Sequence, residues 1–402
     1  MRKIDYLLII LITLLGIGLR LYHLELPKSE VFDEVYYAKA AQTYLNGQVD
    51  PNNGHPPLGK MLIALGIKLT PGQNQQFSWR FASLVFGSLM IPMVYLTGLL
   101  LTGSTMVGAL SAFFLALDFL QLIQSRIAML DIFTAFFSLM GFLLLWLYLR
   151  LPNSKKAWLL LSALTFGLAM ASKGNGVFAA LGAILCLWLM PREYSKPTIK
   201  ETLTFSSIAV LTYILAFLPW FFKGVSLTEV FTYHKDLLHF RYFESFKHNY
   251  LSYFWQWPTL IRPIWYYYQE NQGMVNGIFA LGSPIFWWSF LLFLPWLIFW
   301  AWQRNQPAYR FVLIAYLSQY LLWAVAFKGA FFYYILPAVP WMAIAMAMLC
   351  RQIWLGRIWQ KSLVIIFIGW VIFCFGLYYP LLIALPVSKD YYSKLIFLKN
   401  WI

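Results

Sequence analysis

Charged residues are scarce in this sequence. Asp, Glu, Lys and Arg together make up 11% of its 402 residues, whereas soluble globular proteins carry about 25%. Hydrophobic residues make up 61% and aromatic residues 20%, and the mean hydropathy is +0.66. These values exclude a disordered chain and a soluble globular enzyme, because one soluble core cannot cover so much apolar surface. The composition indicates an integral membrane protein.

Cysteine is also rare, and acidic residues are half as frequent as basic ones. Cys186, Cys350 and Cys374 lie in apolar runs without CxxC or metal-site spacing, which makes structural disulfides unexpected. The 15 acidic residues stand against 30 basic ones, for a net charge of +15. The basic residues are scattered between apolar runs, so they suit inner-face loops and lipid headgroups. A few of them remain candidates for binding an anionic substrate such as a lipid phosphate.

Eleven apolar runs are candidate membrane spans. Several of them are shorter than the ~20 residues of a straight span. We predict an all-α polytopic membrane protein with about 11 transmembrane helices. Lys and Arg are densest in the loops that this count places inside, which predicts a cytoplasmic N-terminus and a C-terminus outside. The runs are 6–19, 80–101, 105–121, 128–149, 157–171, 174–190, 203–222, 285–302, 310–327, 331–350 and 362–381.

Two long segments, 20–79 and 223–284, lie outside in this topology. They contain all five histidines and nine of the fifteen acidic residues. This one-sided distribution predicts polar chemistry at the outer face of the membrane. We divide the chain accordingly into an N-terminal module, 1–222, that includes the outer loop 20–79, and a second module, 223–402. The second module comprises an outer loop and four transmembrane helices.

The first outer loop has two polar features. Asp33 and Glu34 begin a pattern that predicts an interfacial helix to about Leu45. Asp33 is there either as the N-cap of this helix or as a general base near a membrane-borne substrate. In the second feature, His-Pro-Pro-Leu-Gly-Lys at 55–60, the prolines restrict the backbone and glycine permits close approach. This feature either presents His55 and Lys60 rigidly or simply begins a helix with proline in its first turn.

These motifs resemble a known family. FDEVYYAK (32–39), HPPLGK (55–60) and Arg20, thirteen residues before Asp33, resemble the signature of the protein O-mannosyltransferases. The resemblance continues in order through FSWRFASLVFGSL (77–89), QSRIAMLDIFTAFF (124–137), SKGNGVF (172–178) and SYFWQWPTLIRPIWYYY (252–268). It implies the GT-C fold of membrane glycosyltransferases that use a polyprenyl-phosphate sugar donor. Module 1–222 would then be the catalytic one.

The resemblance implies transfer of mannose from polyprenyl phosphate mannose to Ser or Thr hydroxyls of proteins, with inversion at the anomeric carbon. Asp33 matches the catalytic aspartate, and we expect Glu34 to orient a loop arginine or the acceptor. Four cations are candidates for binding the donor phosphate: Arg20, Arg80, Arg126 and Lys173. Candidates for binding the acceptor or orienting the loop are His55, Lys60 and Asp131. Arg126 has an alternative role as the ion-pair partner of Asp131 or Asp118.

No cofactor is expected, because the lipid-phosphate sugar is a substrate and the family resemblance calls for no metal. The chain departs from the family at 332–337, Phe-Tyr-Tyr-Ile-Leu-Pro, where a histidine often follows the first tyrosine. It also lacks room for the large soluble insert of eukaryotic members, which favours the bacterial cytoplasmic membrane with an outward-facing site. Two alternatives remain: an aminoarabinose-transferase-like enzyme that modifies a lipid or glycan, and a transporter. The second lacks support, because no internal repeat is evident.

Overall fold

The computed structural model describes residues 1–48, 50, 54–151, 155–190, 198–242, 248–303, 306–325 and 329–401. These residues are mostly helical, as predicted. The α-helices, in chain order, are α1 Lys3–Leu21, α2 Glu34–Leu45, α3 Leu58–Leu69, α4 Gln75–Thr102, α5 Thr105–Ala116, α6 Phe119–Gln124, α7 Asp131–Arg150, α8 Lys155–Ser172, α9 Gly176–Leu189, α10 Ile199–Leu215, α11 Leu218–Phe221, α12 Leu227–Tyr242, α13 Pro284–Trp302, α14 Pro307–Leu321, α15 Val339–Trp354, α16 Ile358–Leu382 and α17 Lys389–Leu395. Short 3-10 turns lie at Phe254–Gln256, Leu322–Val325, Phe332–Ala338 and Lys399–Trp401.

The apolar helices coincide with the predicted spans. Within the described residues, eight helical segments are long and apolar enough to cross a membrane. Three further apolar helices, α5, α8 and α9, are shorter. The protein is therefore a multi-pass membrane protein, while the count of about 11 and the orientation of the termini stay predictions.

The core lies where α15 passes through the bundle. The segment Phe332–Trp354 is 94% buried, and α15 packs against α5, α14 and the turn that precedes it. α7 and α8 form the most extensive helix pair, and α4 packs against α1, α3, α5 and α7. By contrast, α1 and the segment Ile199–Phe221 are only 17% buried, so most of their apolar side chains are left to contact lipid. This arrangement gathers the loops after α1, α6, α8 and α14 at one end of the bundle.

Within this mostly helical chain, the second outer segment contains a small antiparallel sheet that the sequence analysis did not predict. β1 (Ile264–Asn271) and β2 (Met274–Ala280) form a hairpin, and β3 (Val387–Ser388) pairs with β2. Gln272 and Gly273, at the turn, both have positive φ, as the type I′ turn of a two-residue hairpin requires. The strands are rich in aromatic and β-branched residues, which favour a pleated surface.

Candidate active site

Asp33 lies immediately before α2, at the meeting point of the two outer segments. Phe32 has a left-handed backbone with φ of 50°, which is strained for an aromatic residue. Its ring packs against Tyr266, Phe331 and Tyr333, and these contacts hold the strained turn. The predicted helix is confirmed at Glu34–Leu45, but the Asp33 side chain makes no capping hydrogen bond. The carboxylate is therefore not used as the N-cap.

Two tyrosines bond the same carboxylate oxygen of Asp33. The hydroxyl groups of Tyr333 and Tyr37 donate to its Oδ2 at 3.3 and 3.5 Å. Burial raises the pKa of Asp33 to about 6, the Lys173 ammonium opposes the rise, and the negative charge of Asp131 adds to it. A carboxylate with a pKa close to neutral is suited to accept and release a proton at physiological pH. Among the described residues, nothing bonds the other oxygen, Oδ1.

Lys173 and Asp131 form a second charged group, a buried ion pair, near the Asp33 carboxylate. The ammonium nitrogen lies 2.9 and 2.8 Å from the two carboxylate oxygens. It also lies 4.1 Å from the ring centre of Tyr334 and 5.0 Å from that of Tyr333. Tyr333 therefore contacts both Lys173 and Asp33, which places the base and this cation in one site. An ammonium has three donors, and Asp131 uses two.

The turn that carries Lys173 lies against α3. A Cβ added to Gly59 would lie 2.8 Å from Leu130 Cδ2 and 3.2 Å from the Ser172 carbonyl oxygen. Only glycine therefore permits the observed approach of this helix to the residues that precede Asp131 and Lys173. The predicted role of Gly59 in close approach is confirmed.

Glu34 and Arg80 form a second buried ion pair that fixes the loop before α2. Arg80 Nε and Nη2 donate to the two oxygens of Glu34 at 2.8 and 2.9 Å. The remaining Arg80 donors bond main-chain carbonyls of Leu24, Leu26, Pro27 and Ser29. Glu34 thus orients an arginine, as expected, and both side chains have a positioning role. Contact of Arg80 with the donor phosphate would require these bonds to break.

Arg20 and Arg126 are also buried and bonded within the protein. Arg20 bonds the side chain of Gln121 and the carbonyl oxygens of Gly16 and Ala116. Arg126 donates to the carbonyl oxygens that end α1 and begin the following loop, at 20, 22 and 23. The two cations therefore bond main-chain groups around the C-terminal end of α1. Their contact with donor phosphate stays a prediction.

The alternative ion pairs considered for Arg126 are wrong. Asp131 pairs with Lys173, which is 42 positions away in the sequence. Asp118 caps α6 by accepting from the Gln121 main-chain N–H, and it accepts from Trp287 Nε1 at 2.7 Å. Distant residues supply the partners because helix packing, not sequence proximity, sets which side chains meet.

Lys60 and His55 do not both face the base. The Lys60 ammonium is buried in an ion pair with Asp50 and donates to the His55 carbonyl oxygen at 2.8 Å. Asp50 also accepts from the Tyr44 hydroxyl at 3.1 Å. Lys60 is therefore loop-orienting rather than acceptor-binding in this geometry. The His55 ring lies edge-on to Tyr37 at 6.0 Å, next to a residue that bonds Asp33.

The sequence analysis did not identify Tyr37 and Tyr333, the two tyrosines that bond Asp33, as site residues. The Tyr-Tyr pair at 333–334, which replaces the family's usual Tyr-His, was a signal for the last of them. Among the described residues, no group of three His, Cys, Asp or Glu side chains could hold a metal ion. The absence of a cofactor stays a prediction.

The site lies on a chain whose whole length matches known proteins. The family model described as dolichyl-phosphate-mannose-protein mannosyltransferase matches residues 10–239. The model of the C-terminal four-transmembrane region of protein O-mannosyltransferase matches residues 226–401. The polyprenol-phosphate-mannose–protein mannosyltransferase of Mycolicibacterium smegmatis is 25% identical over 460 residues, covering 92% of this chain and 87% of the relative.

Solved structures show the same fold at low identity. The Saccharomyces cerevisiae protein O-mannosyltransferase complex bound to its sugar donor matches with a TM-score of 0.84 and 15% identity, covering 100% of this chain and 93% of that one. The Cupriavidus metallidurans protein ArnT bound to undecaprenyl phosphate matches less well, with a TM-score of 0.58, 14% identity and coverage of 93% and 63%. The chain thus has the GT-C fold, is a glycosyltransferase, and belongs to the dolichyl-phosphate-mannose–protein mannosyltransferase family.

Proposed function

We propose that this enzyme transfers mannose from polyprenyl phosphate mannose to Ser or Thr hydroxyls of proteins, with Asp33 as the general base. The observation that carries the proposal is the half-buried Asp33 carboxylate. Burial raises the pKa of this group to about 6. The names of the family and of the mycobacterial relative support the donor and the acceptor class.

The chemistry follows from the placement of the base and the cation. Asp33 takes the proton of the acceptor hydroxyl while the oxygen of that hydroxyl bonds to the anomeric carbon of mannose. The bond from that carbon to the phosphate oxygen breaks, and its electron pair leaves with the lipid phosphate. Attack opposite the leaving group inverts the anomeric centre. Lys173 stabilises the developing phosphate charge through its third N–H.

We further propose that the protein lies in a bacterial cytoplasmic membrane with this site facing outward. The Lys and Arg bias of the loops supports this orientation, because it places Asp33 and the second outer segment on the side away from the cytoplasm. The bacterial origin of the mycobacterial relative supports the compartment.

The test measures where the sugar goes. Membranes containing the protein are incubated with radiolabelled polyprenyl phosphate mannose and a Ser/Thr-rich peptide, with Asp33→Asn and Asp390→Asn as matched variants. Asp390 is exposed and pairs only with Lys394 among the described residues. We expect equal label in the peptide with wild type and Asp390→Asn, and labelling slowed by about 10²–10⁴-fold with Asp33→Asn.

Label in a lipid fraction instead of the peptide would refute the protein acceptor and favour the aminoarabinose-transferase-like alternative. Equal peptide label with Asp33→Asn would remove Asp33 from the mechanism.

A further inference from the structure

Tyr266 occupies a β-bulge next to the active site. In the hairpin, Trp265 pairs with Phe279 and Tyr267 pairs with Ile278, so Tyr266 is the extra residue of β1. A bulge redirects a side chain relative to the regular alternation of a strand, and bulges are frequent beside active sites. Tyr266 is only 5% exposed, whereas Tyr268, two residues further, is 46% exposed. The bulge thus turns one tyrosine of this run into the protein.

The Tyr266 ring lies next to the residues that surround Asp33. It packs on Phe32, the neighbour of Asp33, with ring centres 4.6 Å apart, and on Tyr333 at 5.8 Å. Tyr333 in turn bonds Asp33. Burial, with the negative charges of Asp131 and Asp33, raises the pKa of Tyr266 well above its ordinary value. The phenol therefore keeps its proton throughout the working pH range.

The Tyr266 hydroxyl accepts a hydrogen bond, but among the described residues it donates none. Gln124 Nε2 donates to its oxygen at 2.7 Å, and a phenol can both accept and donate a hydrogen bond. Within the part of the chain that the structure describes, nothing accepts the phenol proton. An unused buried donor reduces stability, so an acceptor from a substrate is favoured here. Gln124 orients the oxygen and leaves the proton available.

We infer that Tyr266 donates this hydrogen bond to a hydroxyl oxygen of the transferred sugar, and that it is a sugar-binding residue of the donor site. The inference rests on the proposed function. The sugar must lie between the base, Asp33, and the phosphate-stabilising cation, Lys173. Tyr266 packs on Tyr333, which contacts both. Because two carboxylates act on this position, a neutral sugar hydroxyl suits it better than an anionic phosphate oxygen.

The experiment pairs a change in the enzyme with a change in the sugar. Transfer to peptide is measured as kcat/KM with polyprenyl phosphate mannose and with its 2-, 3-, 4- and 6-deoxymannose analogues, for wild type and Tyr266→Phe. One neutral hydrogen bond corresponds to a factor of about ten. For wild type, we expect kcat/KM to be about tenfold lower with one analogue than with the mannose donor. Tyr266→Phe should have a kcat/KM about tenfold below that of wild type with the mannose donor. Its kcat/KM should not fall further with that analogue.

Intrinsic effects of each missing hydroxyl on reactivity are the same for both proteins and cancel in this comparison. Tyr268→Phe is the matched control, because its exposed hydroxyl bonds Glu270 at 3.0 Å. It should behave as wild type with every donor. If Tyr266→Phe destabilises the fold, Gln124→Leu with Tyr266→Phe removes both polar groups together, and the same pattern is expected.

If every analogue loses the same factor in wild type and Tyr266→Phe, the inference is overturned. The phenol would then donate to the phosphate or to the Gln124 amide oxygen. If wild type transfers no mannose to peptide, the proposed function itself fails, and the two failures are distinguishable in one assay.

Discussion

Replacing Glu34 with Gln tests the buried ion pair that fixes the Asp33 loop. Glu34 is fully buried, and each of its oxygens accepts two N–H groups. Oε1 accepts from Arg80 Nε at 2.8 Å and Ala128 N at 2.9 Å, and Oε2 accepts from Arg80 Nη2 at 2.9 Å and Val31 N at 3.0 Å. A glutamine amide group would therefore face two donors whichever way it turns.

The magnitude follows from the burial of the arginine left behind. Breaking a buried ion pair by removing one charge costs about 3–5 kcal/mol. We expect Glu34→Gln to unfold at clearly lower temperature in detergent and to lose transferase activity. Adding Arg80→Met to Glu34→Gln removes the unpaired charge, so the double variant should be less destabilised than the sum of the single ones.

The assay is thermal unfolding of the purified protein, with Glu30→Gln as the control. Glu30 lies in the same loop and is exposed, so its loss of charge should change stability by less than about 0.5 kcal/mol. Equal unfolding temperatures for Glu34→Gln and Glu30→Gln would refute the positioning role of the pair.

Three further predictions concern the charged groups of the site. Because Asp33 must be unprotonated to act as a base and its pKa is about 6, kcat/KM should fall about tenfold per pH unit below pH 6, and a pH-independent profile would contradict this assignment. Lys173 lowers the pKa of Asp33, so Lys173→Met should move the acid limb of the kcat/KM profile to higher pH, whereas Lys173→Arg should leave it near pH 6. Lys60→Met should destabilise the protein by about 3–5 kcal/mol because it leaves Asp50 charged and buried, while Lys68→Met, at an exposed position of α3, should leave the unfolding temperature unchanged.

Local sequence patterns predicted the elements better than the contacts between them. The helix from Glu34 and the close approach at Gly59 follow from short-range features, namely helical periodicity and the absence of a Cβ. The spans follow from the length of each apolar run. These signals are contained within a dozen or so neighbouring residues, so no tertiary information was needed.

Pairings across the bundle could not be predicted in this way. Arg126 and Asp131 are close in sequence, yet Arg126 bonds main-chain carbonyl oxygens near the end of α1. Asp131 instead pairs with Lys173, which lies in the turn before α9. Arg80 has the charge of a phosphate-binding residue, but only the folded loop reveals the carbonyl oxygens that surround it. The hairpin was missed because an aromatic run beside a membrane also fits an interfacial loop.

Single-turnover transfer tests the central claim, that Asp33 is the base of a mannosyl transfer to protein, most directly. Excess enzyme is loaded with radiolabelled polyprenyl phosphate mannose, and the rate of peptide labelling is followed for wild type and Asp33→Asn at equal donor occupancy. Loss of a general base costs about 10²–10⁴-fold in rate, so the account predicts donor binding by both proteins and slowing of that size in Asp33→Asn. Transfer by Asp33→Asn within a few-fold of wild type would contradict it.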